Sequence, residues 1–456
     1  LLSLLLALAG AAPAQTFNWT NGTFIAGVTA PGTLGGAGVL NIGAGGFKFF
    51  DGGVSHFTNG GTVNWLSDTL YLQSGAQVTN NGLWDAQSDH GLVYNGGSAP
   101  SFVNFGTFRK SGGGGATTVG AGVGFVNHGS VLAQSGRIDF QGGSTFNAGS
   151  VFGGAGVVRT VSGSNVFNGS FTSANLELAG GSHVGSGAVV NGTANFSGGS
   201  LSGTWSVAAG QTLVGRSGGF KYVDGAGTVL TNQGTVRWDT GDALYLQSGG
   251  QVVNHGLWDS TTDSLMAYNG GTATTFTNFG TLRKSGGSGG TTVNAGVGFV
   301  NHGVLDAQVG ELVFNGGSTF NAGSLFTGAG RNRVVAGTNQ FNGAFTALNL
   351  ELANGTHAGN GAVVSGNLAL TGGTLSGTWA VAAGQQITAG DGALKFVDGA
   401  ATVLSNQGTV AWNTSNALYL QSGGRVVNQG LWQANAATGL FYNGGAPPRF
   451  EPTATG

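Results

Sequence analysis

The phrase Leu-Tyr-Leu-Gln-Ser-Gly occurs three times in this chain of 456 residues, at residues 70–75, 244–249 and 418–423. Each occurrence lies 174 residues after the one before it. Repetition at a fixed period is the strongest sequence evidence for an array of similar structural units. The chain is therefore predicted to be a repeat protein.

The same offset relates positions spread over the whole long repeat, so the copies stay in register. The recurring positions are Trp84, Trp258 and Trp432; Lys110 and Lys284; His128 and His302; and Trp205 and Trp379. We assign the copies to residues 47–219, 220–393 and, in part, 394–456. Residues 15–456 are predicted to form a single solenoid.

A shorter beat, an Asn followed closely by Gly, recurs within each long copy. In the first copy it falls on Asn59, Asn80, Asn104, Asn127, Asn147, Asn168 and Asn191, and an eighth unit, with Gly210 near its start, lies in the 41-residue gap before Asn232. Eight beats in each long copy give a unit of about 22 residues, which matches one coil of a parallel β-helix and is too short for a propeller blade. The predicted fold class is an all-β, parallel β-helix, or β-solenoid.

The segments between the beats have the alternation of strands, as at residues 102–108 and 125–132. Gly makes up 93 of the 456 residues, and each Gly costs a helix about 1 kcal/mol, whereas the corners of a coil make use of it. When coils stack about 4.8 Å apart, Asn amides can hydrogen-bond in ladders. The 28 Phe are assigned to the core.

Composition excludes several classes of partner. Charged residues are 7% of the chain and the net charge is −2, so there is no basic footprint for nucleic acid. Cysteine is absent, which rules out disulfides and thiolate metal sites. We predict no cofactor and no bound metal, and no segment after residue 14 approaches the ~20 apolar residues of a membrane span. A polar surface with little charge is typical of extended extracellular repeat proteins.

Both ends of the chain carry signals of their own. Residues 1–14 combine an apolar run with Ala12-Pro13-Ala14, the pattern of a signal peptide that lacks its beginning and is cleaved after Ala14. At the other end, residues 451–456 depart from the pattern of the first copy. We therefore expect a truncated or shifted reading frame, with any C-terminal sorting signal lying beyond residue 456.

Three segments carry a resemblance to known families. Residues 104–113 (Asn-Phe-Gly-Thr-Phe-Arg-Lys-Ser-Gly-Gly), 201–210 and 146–150 resemble the strand repeats of large bacterial exported proteins. These are autotransporter and filamentous-haemagglutinin-like adhesins, and surface repeat proteins of the PEP-CTERM type. The resemblance extends over residues 16–450. It implies right-handed coils, an outer-membrane-associated, cell-surface or extracellular location, and a glycan, matrix or host surface as partner.

Parallel β-helices also include polysaccharide lyases and glycoside hydrolases, which need clustered carboxylates. The 17 acidic residues of this chain do not cluster in the sequence. A Lys-x-x-Asp-Gly phrase recurs once per long copy, with Lys48 and Asp51, Lys221 and Asp224, and Lys395 and Asp398. Because an active site is singular and these pairs are plural, we interpret them as structural ion pairs at the ends of strands.

Two groups of residues are candidates for contact with a glycan. They are the recurring tryptophans Trp84, Trp258 and Trp432, and the basic pairs Arg109, Lys110, Arg283 and Lys284. The tryptophans offer rings to sugars in one interpretation and belong to the core in the other. The basic pairs face an acidic glycan in one interpretation and form a solvated edge that prevents lateral strand pairing in the other.

Four histidines recur at corners or in Gly-rich turns: His128, His302, His183 and His357. None has a second ligand at a spacing suited to a metal. All four are predicted to be exposed corner residues.

The sequence favours an exported, non-catalytic surface protein, a passenger-like rod with a structural or adhesive role and affinity arising from many weak contacts. The main alternative is a polysaccharide-degrading enzyme, and a third interpretation is the passenger of an autotransporter. Turnover of a polysaccharide would favour the enzyme, whereas binding without turnover would favour the adhesive protein.

Overall fold

A computed structural model describes residues 15–25, 32–52 and 56–452. The predicted signal peptide, residues 1–14, lies outside the described residues. The described chain contains strands and no helix, and its coils recur about every 22 residues for about 19 turns. The predicted all-β solenoid is therefore confirmed. Backbone contacts divide the chain into two compact units, residues 1–222 and 223–456.

The strands that lie within the first unit are β1 Thr16–Trp19, β2 Gly22–Ile25, β3 Gly32–Leu34, β4 Val39–Ile42, β5 Lys48–Asp51, β6 His56–Asn59, β7 Thr62–Trp65, β8 Leu70–Gln73, β9 Gln77–Asn80, β10 Leu83–Ala86, β11 Gly91–Tyr94, β12 Ser101–Asn104, β13 Thr107–Lys110, β14 Ala116–Val119, β15 Gly124–Asn127, β16 Ser130–Ala133, β17 Arg137–Phe140, β18 Thr145–Phe146, β19 Val151–Gly153, β20 Val157–Thr160, β21 Ser164–Leu178, β22 Ser182–Phe196, β23 Gly199–Val207 and β24 Thr212–Gly215.

The strand at the boundary is β25 Lys221–Asp224, and the strands of the second unit are β26 Val229–Asn232, β27 Thr235–Trp238, β28 Leu244–Gln247, β29 Gln251–Asn254, β30 Leu257–Ser260, β31 Ser264–Tyr268, β32 Thr274–Asn278, β33 Thr281–Lys284, β34 Gly290–Asn294, β35 Val297–Asn301, β36 Val304–Ala307, β37 Glu311–Asn315, β38 Ser318–Phe320, β39 Leu325–Thr327, β40 Arg331–Ala336, β41 Thr338–Ala347, β42 Leu350–Leu352, β43 Thr356–Leu370, β44 Gly373–Val381, β45 Gln386–Ala389, β46 Lys395–Asp398, β47 Val403–Asn406, β48 Thr409–Trp412, β49 Leu418–Gln421, β50 Arg425–Asn428, β51 Leu431–Ala434, β52 Leu440–Tyr442 and β53 Arg449–Pro452.

A typical coil contributes three short strands, and each strand pairs in parallel with the strand three places further on. Thus β7 pairs with β10 and β10 with β13, which places Val63, Trp84 and Phe108 in one column. The strands β8 and β11, and β9 and β12, pair in the same way. Because every coil repeats this path, side chains of one type stack in columns through the unit.

Alternation along each strand decides which side chains enter the core. In β12, Phe102 and Asn104 are buried, whereas Ser101 and Val103 are partly exposed. Successive side chains of a strand point to opposite faces, so a four-residue strand sends two side chains inward. The core of each unit is therefore a set of stacked columns enclosed by the coils.

A ladder of Asn side chains runs through one corner of the first unit, as predicted, and the structure shows that it is buried. The Nδ2 groups of Asn59, Asn80 and Asn104 donate to the Oδ1 atoms of the next Asn at 2.6, 2.7 and 2.6 Å. The last member, Asn127, donates to Ser150 Oγ at 2.9 Å. Each of these amides is fully buried, so the ladder satisfies polar groups that would otherwise be costly.

The later beats do not continue this inner ladder. Asn127 is in register with Phe146 and not with Asn147. The Asn147 side chain is half-buried and accepts a hydrogen bond from Asn168 Nδ2 at 2.9 Å. A slip of one residue moves a strand's side chain to the other face. The Asn residues that form one repeating pattern in the sequence therefore belong to two ladders in the structure, one inside the coils and one outside.

The glycines of the Asn-x-Gly corners are required for space. A Cβ atom on Gly106 would lie 2.1 Å from the carbonyl oxygen of Gly82 in the preceding coil. Gly82 and Gly129 meet the backbone of their preceding coils at the same distance. Because the obstacle is backbone, only Gly allows the corners to stack at the spacing of the strands.

The last strand keeps the register although its sequence departs from that of the first copy. Glu451 lies opposite Val427 and Pro452 opposite Asn428, so β53 pairs with β50. The change of sequence after residue 450 therefore does not prevent strand pairing at Glu451 and Pro452. Parallel pairing uses backbone groups, which are little affected by the change of side chains.

We expect replacement of Asn104 with alanine to lower the free energy of unfolding by about 1–3 kcal/mol, because it removes a donor and an acceptor from buried neighbours. Urea titration followed by circular dichroism measures this loss. The matched control is Asn168→Ala in the half-buried outer ladder, for which we expect a loss below about 1 kcal/mol. Equal losses in the two variants would contradict the distinction between the ladders.

Candidate functional site

Two of the three candidate tryptophans are in the core. Trp84 and Trp258 are 0% and 1% exposed, and the Trp84 ring packs edge-on against Phe102 with 5.0 Å between ring centroids. Trp84 is the second residue of β10 and Trp258 the second residue of β30, and both positions face the core. Their rings are therefore closed to a sugar in this structure.

Trp432 is partly exposed and lies in a cleft of its own. Its ring stacks on Trp412 at a centroid distance of 6.0 Å. The two rings line a space of about 200 Å³ together with residues that include Thr438 and Leu440. Of the three candidate tryptophans, Trp432 is the one whose ring reaches solvent.

The adjacent residues of each basic pair point in opposite directions. Arg109 faces outward, where its guanidinium donates to both carboxylate oxygens of Asp85 at 3.0 and 2.7 Å. Lys110 points inward and is fully buried, with Nζ 2.6 Å from Asp89 Oδ1 and 2.6 Å from the Gly112 carbonyl. Neighbouring residues of a strand point to opposite faces, so one residue of each pair is outward and the other inward. The sequence alone does not show which of the two is inward.

The second copy repeats the arrangement: Arg283 pairs with Asp259, and buried Lys284 lies 2.6 Å from Asp263 Oδ1. The bond from Lys110 holds the pKa of Asp89 below its ordinary value, and the bond from Lys284 does the same for Asp263. The interpretation of both residues of a pair as a solvated edge is therefore wrong for the two lysines. Each lysine instead ties a corner loop to the neighbouring coil.

The predicted Lys-x-x-Asp ion pairs are also corrected. Lys48 points into the core and Asp51 outward, as residues three apart in a strand must. The Lys48 ammonium instead bonds Asp68 of the next coil, 2.8 Å from Nζ to Oδ2. Lys221 and Lys395 are the inward residues of the equivalent strands, and Asp224 and Asp398 are outward.

All five lysines of the chain, Lys48, Lys110, Lys221, Lys284 and Lys395, are 0% exposed. We expect an amine-acylating reagent to leave them unmodified in the folded protein and to modify all five in concentrated urea, because the amines are closed to solvent and anchored in the corners. Peptide mass spectrometry measures the modification. Rapid labelling of Lys110 under native conditions would place that amine on the surface and contradict the structure.

Two of the four candidate histidines are exposed, as predicted, and two are not. His128 and His302 lie at exposed corners, where they stack on Phe105 and Phe279 at 4.7 Å. His183 and His357 are fully buried, in contrast to the prediction. Both lie at the inward second position of a long strand rather than in a turn.

The buried histidines are held neutral. His183 Nε2 donates to the Gly198 carbonyl at 3.2 Å, and Nδ1 is 3.3 Å from the Thr160 hydroxyl. Burial lowers the pKa of His183 to about 4, and burial lowers that of His357 to about 4 as well. Among the described residues, neither ring nitrogen of His357 has a hydrogen-bond partner. His183 and His357 are therefore core residues whose imidazoles stay unprotonated in the folded protein until the pH falls to about 4.

The surface cleft that sequence reasoning missed lies beside β5 and β8 and is here called the Phe47 cleft. Its volume is about 520 Å³. It is lined by Gly45, Gly46, Phe47, Asp68, Thr69 and Tyr71. Phe47 is 69% exposed, which corrects the assignment of all Phe to the core. Its ring lies 5.8 Å from that of Tyr71, and Phe49 stacks on Tyr71 at 5.2 Å.

The local fold explains why these rings face outward. Lys48 and Phe50 take the inward positions of β5, so Phe49 points to solvent. Tyr71 is its direct partner in β8. The alternation Phe47-Lys48-Phe49 is the sequence signal for this pair of outward rings. It can be interpreted only when Lys48 is known to be buried, because Phe47 and Phe49 must then point the other way.

Asp68 supplies the exposed charge of the cleft. Its Oδ2 accepts hydrogen bonds from Lys48 Nζ and from the Gly45 N–H at 2.8 and 3.2 Å. The bond from Lys48 is the main cause of a pKa below the ordinary value for this carboxyl. The Asp68 side chain is 38% exposed, whereas that of Lys48 is 0% exposed. A ligand in the cleft therefore meets the carboxylate and not the ammonium.

The second unit contains a partial counterpart of this cleft. An aromatic column recurs there, with Phe396 stacked on Tyr419 at 5.3 Å and Phe441 at 5.9 Å from Tyr419. The residues that correspond to Phe47 and Asp68 are Leu394 and Asn416. The counterpart thus keeps the column and lacks both the projecting ring and the carboxylate.

These features define the class of the molecule: it is a β-solenoid repeat protein. Comparison of the chain with models of protein families, with curated proteins and with solved structures finds no match. Residues 15–25, 32–52 and 56–452 contain no group of three His, Asp or Glu side chains placed to hold one metal ion. Within the same described ranges, no helix has the length and hydropathy needed to cross a membrane.

Proposed function

We propose that the protein is an exported, non-catalytic surface solenoid with a structural or adhesive role. The observation that carries the proposal is that many carboxylates form ion pairs with Lys or Arg side chains of a neighbouring coil. These carboxylates are Asp68, Asp85, Asp89, Asp259, Asp263, Glu177, Glu311 and Glu351. Glycoside hydrolysis needs two carboxyl groups that face each other across a sugar. Carboxylates that brace adjacent coils serve stability instead.

The outer surface supports the adhesive part of the proposal. An outward ladder joins Asn18, Asn41 and Asn64 at 2.9 Å per step, and Gln87 continues it at 3.2 Å. A second outward ladder joins Asn315 to Asn294 at 3.1 Å. Repeated uncharged donors and acceptors suit many weak contacts with an extracellular glycan, matrix or host surface, and such contacts gain strength through multivalency.

The proposed export rests on the apolar residues 1–14, on the charged fraction of 7% and on the absence of cysteine. The resemblance to exported bacterial repeat proteins supports the same location. The passenger of an autotransporter and a surface repeat protein of the PEP-CTERM type are both compatible with this proposal.

The test is a binding and turnover experiment on the full chain with a panel of plant and bacterial polysaccharides. We expect weak binding by the free chain, binding at least about 100-fold tighter when the chain is displayed densely on beads, and no release of oligosaccharides. Release of oligosaccharides that increases with protein concentration would instead establish the polysaccharide-degrading enzyme.

A further inference from the structure

We propose that the Phe47 cleft is a binding site for a neutral, β-linked hexopyranose chain such as a β-glucan. This inference rests on the proposed function, because it names the ligand class for an adhesive surface. Three properties of the cleft favour such a ligand: its projecting ring, its carboxylate, and the burial of the cation that balances the carboxylate.

The projecting ring gives the cleft an apolar platform. Phe47 leaves most of its surface in water, which is unfavourable for the free protein. Phe49 and Tyr71 extend the platform, with ring centroids 6.2 and 5.8 Å from that of Phe47. A pyranose with equatorial hydroxyls has flat faces of C–H bonds, and such a face covers an aromatic ring without burying a hydroxyl.

The rim of the platform supplies polar groups for the hydroxyls of the sugar. Asp68 offers carboxylate oxygens, which accept hydrogen bonds more strongly than neutral groups do. Thr69 and Tyr71 also line the cleft, and a hydroxyl group can donate or accept a hydrogen bond. Gly45 and Gly46 have no side chains to fill the space beside them. An apolar floor with a few polar groups at its edge is the usual composition of a sugar-sized site.

The charge of the cleft selects against acidic glycans. The Lys48 ammonium is closed to solvent behind Asp68. The bonds from Lys48 and Ser67 keep the pKa of Asp68 below its ordinary value, so the carboxylate is ionised at neutral pH. A uronate or sulfate in the cleft would approach this negative charge without an exposed cation to offset it. Neutral hydroxyls, in contrast, donate to the carboxylate.

The second unit provides a natural comparison for each feature. Its counterpart has Leu394, Asn416 and Ala417 in place of Phe47, Asp68 and Thr69. Lys395, the equivalent of Lys48, remains fully buried and bonds the Ala393 carbonyl at 3.2 Å. In that copy the Lys395 ammonium is also attracted to Asp391, whereas the corresponding residue of the first copy is Ala44. Phe47→Leu therefore introduces a residue that the repeat already accommodates, and Asp68→Asn also removes the ion-pair partner of buried Lys48.

The experiment is isothermal titration of the full chain and its variants with cellohexaose, with hexagalacturonate as the acidic comparison. We expect the unchanged chain to bind cellohexaose and not hexagalacturonate. The middle copy has an exposed Phe220 and an Asp242 at the corresponding positions, so every variant also carries Phe220→Leu. In this background Phe47→Leu and Asp68→Asn should each weaken cellohexaose binding about tenfold or more, since each removes one of the few anchoring contacts. The matched control Leu394→Ala should change the affinity less than about twofold. Circular dichroism and thermal unfolding check that each variant is folded.

Several outcomes would overturn the inference. These are failure of the unchanged chain to bind cellohexaose, unchanged affinity in folded Phe47→Leu, or equal affinity for hexagalacturonate. If the chain still binds other polysaccharides of the panel without cleaving them, the proposed function stands and only this site is rejected. Cleavage of cellohexaose would reject the non-catalytic function itself.

Discussion

Replacement of Trp84 with alanine is expected to lower the free energy of unfolding by about 3–5 kcal/mol, the usual cost of removing a large buried ring. The Trp84 side chain is fully buried between Val63 and Phe108 of the adjacent coils and packs against Phe102. A cavity there would cross two coil interfaces. Urea unfolding followed by far-ultraviolet circular dichroism measures the loss.

Two variants sharpen this test. Trp84→Phe should cost less than Trp84→Ala, because the indole N–H has no hydrogen-bond partner in the described part of the chain and the phenyl ring fills much of the same space. Trp432→Ala should also cost less, about 1–2 kcal/mol, because that ring is partly exposed. If Trp84→Ala lost binding to a glycan while its unfolding free energy stayed unchanged, Trp84 would be a contact residue and the burial would be contradicted.

Acid is expected to destabilise the fold by about 3 kcal/mol for each of His183 and His357 as the pH falls from about 6.5 to about 4. Burial lowers the pKa of each folded imidazole from 6.5 to about 4. Between these values the unfolded chain binds a proton that the folded chain does not. The contribution to stability is therefore complete above pH 6.5 and is lost as the pH falls toward 4.

The control is the double variant His183→Gln, His357→Gln, compared with the exposed His128→Gln. We expect the double variant to have a flatter dependence of stability on pH between 6.5 and 4, and His128→Gln to keep the original slope. A smaller slope remains in the double variant because burial also lowers the pKa of His90. An imidazole signal of His183 that titrates near pH 6.5 in nuclear magnetic resonance spectra would rule out this explanation.

The histidines show where sequence reasoning failed. His183 and His357 were placed in turns because glycines surround them, but β22 and β43 each run for 15 residues through those glycines. Glycine marks a corner in most coils and lies within a continuous strand in these two. Pairing with the neighbouring coil decides whether a glycine lies at a corner or within a strand, and this pairing is not visible in a single sequence.

The candidate site shows the same limit. The residues Phe47, Lys48, Phe49 and Phe50 were all visible, but the choice of which two point inward depends on the register with β8. The sequence interpretation placed the aromatic residues in the core and paired Lys48 with Asp51. The structure buries Lys48 against Asp68 and leaves Phe47 and Phe49 outside, which creates the cleft.

The periodic features of this protein are predictable from its amino-acid sequence. The 174-residue repeat, the coils of about 22 residues, the absence of helix from the described residues and the stacking of Asn in ladders follow from spacing and composition, because each coil imposes the same demands on the next. Which side of each strand faces the core depends on pairing between coils and is visible only in the three-dimensional structure. Most strands are about four residues long, and the corners between them vary in length. The inward positions of one strand therefore do not predict those of the next strand, and pairing with the neighbouring coil fixes them.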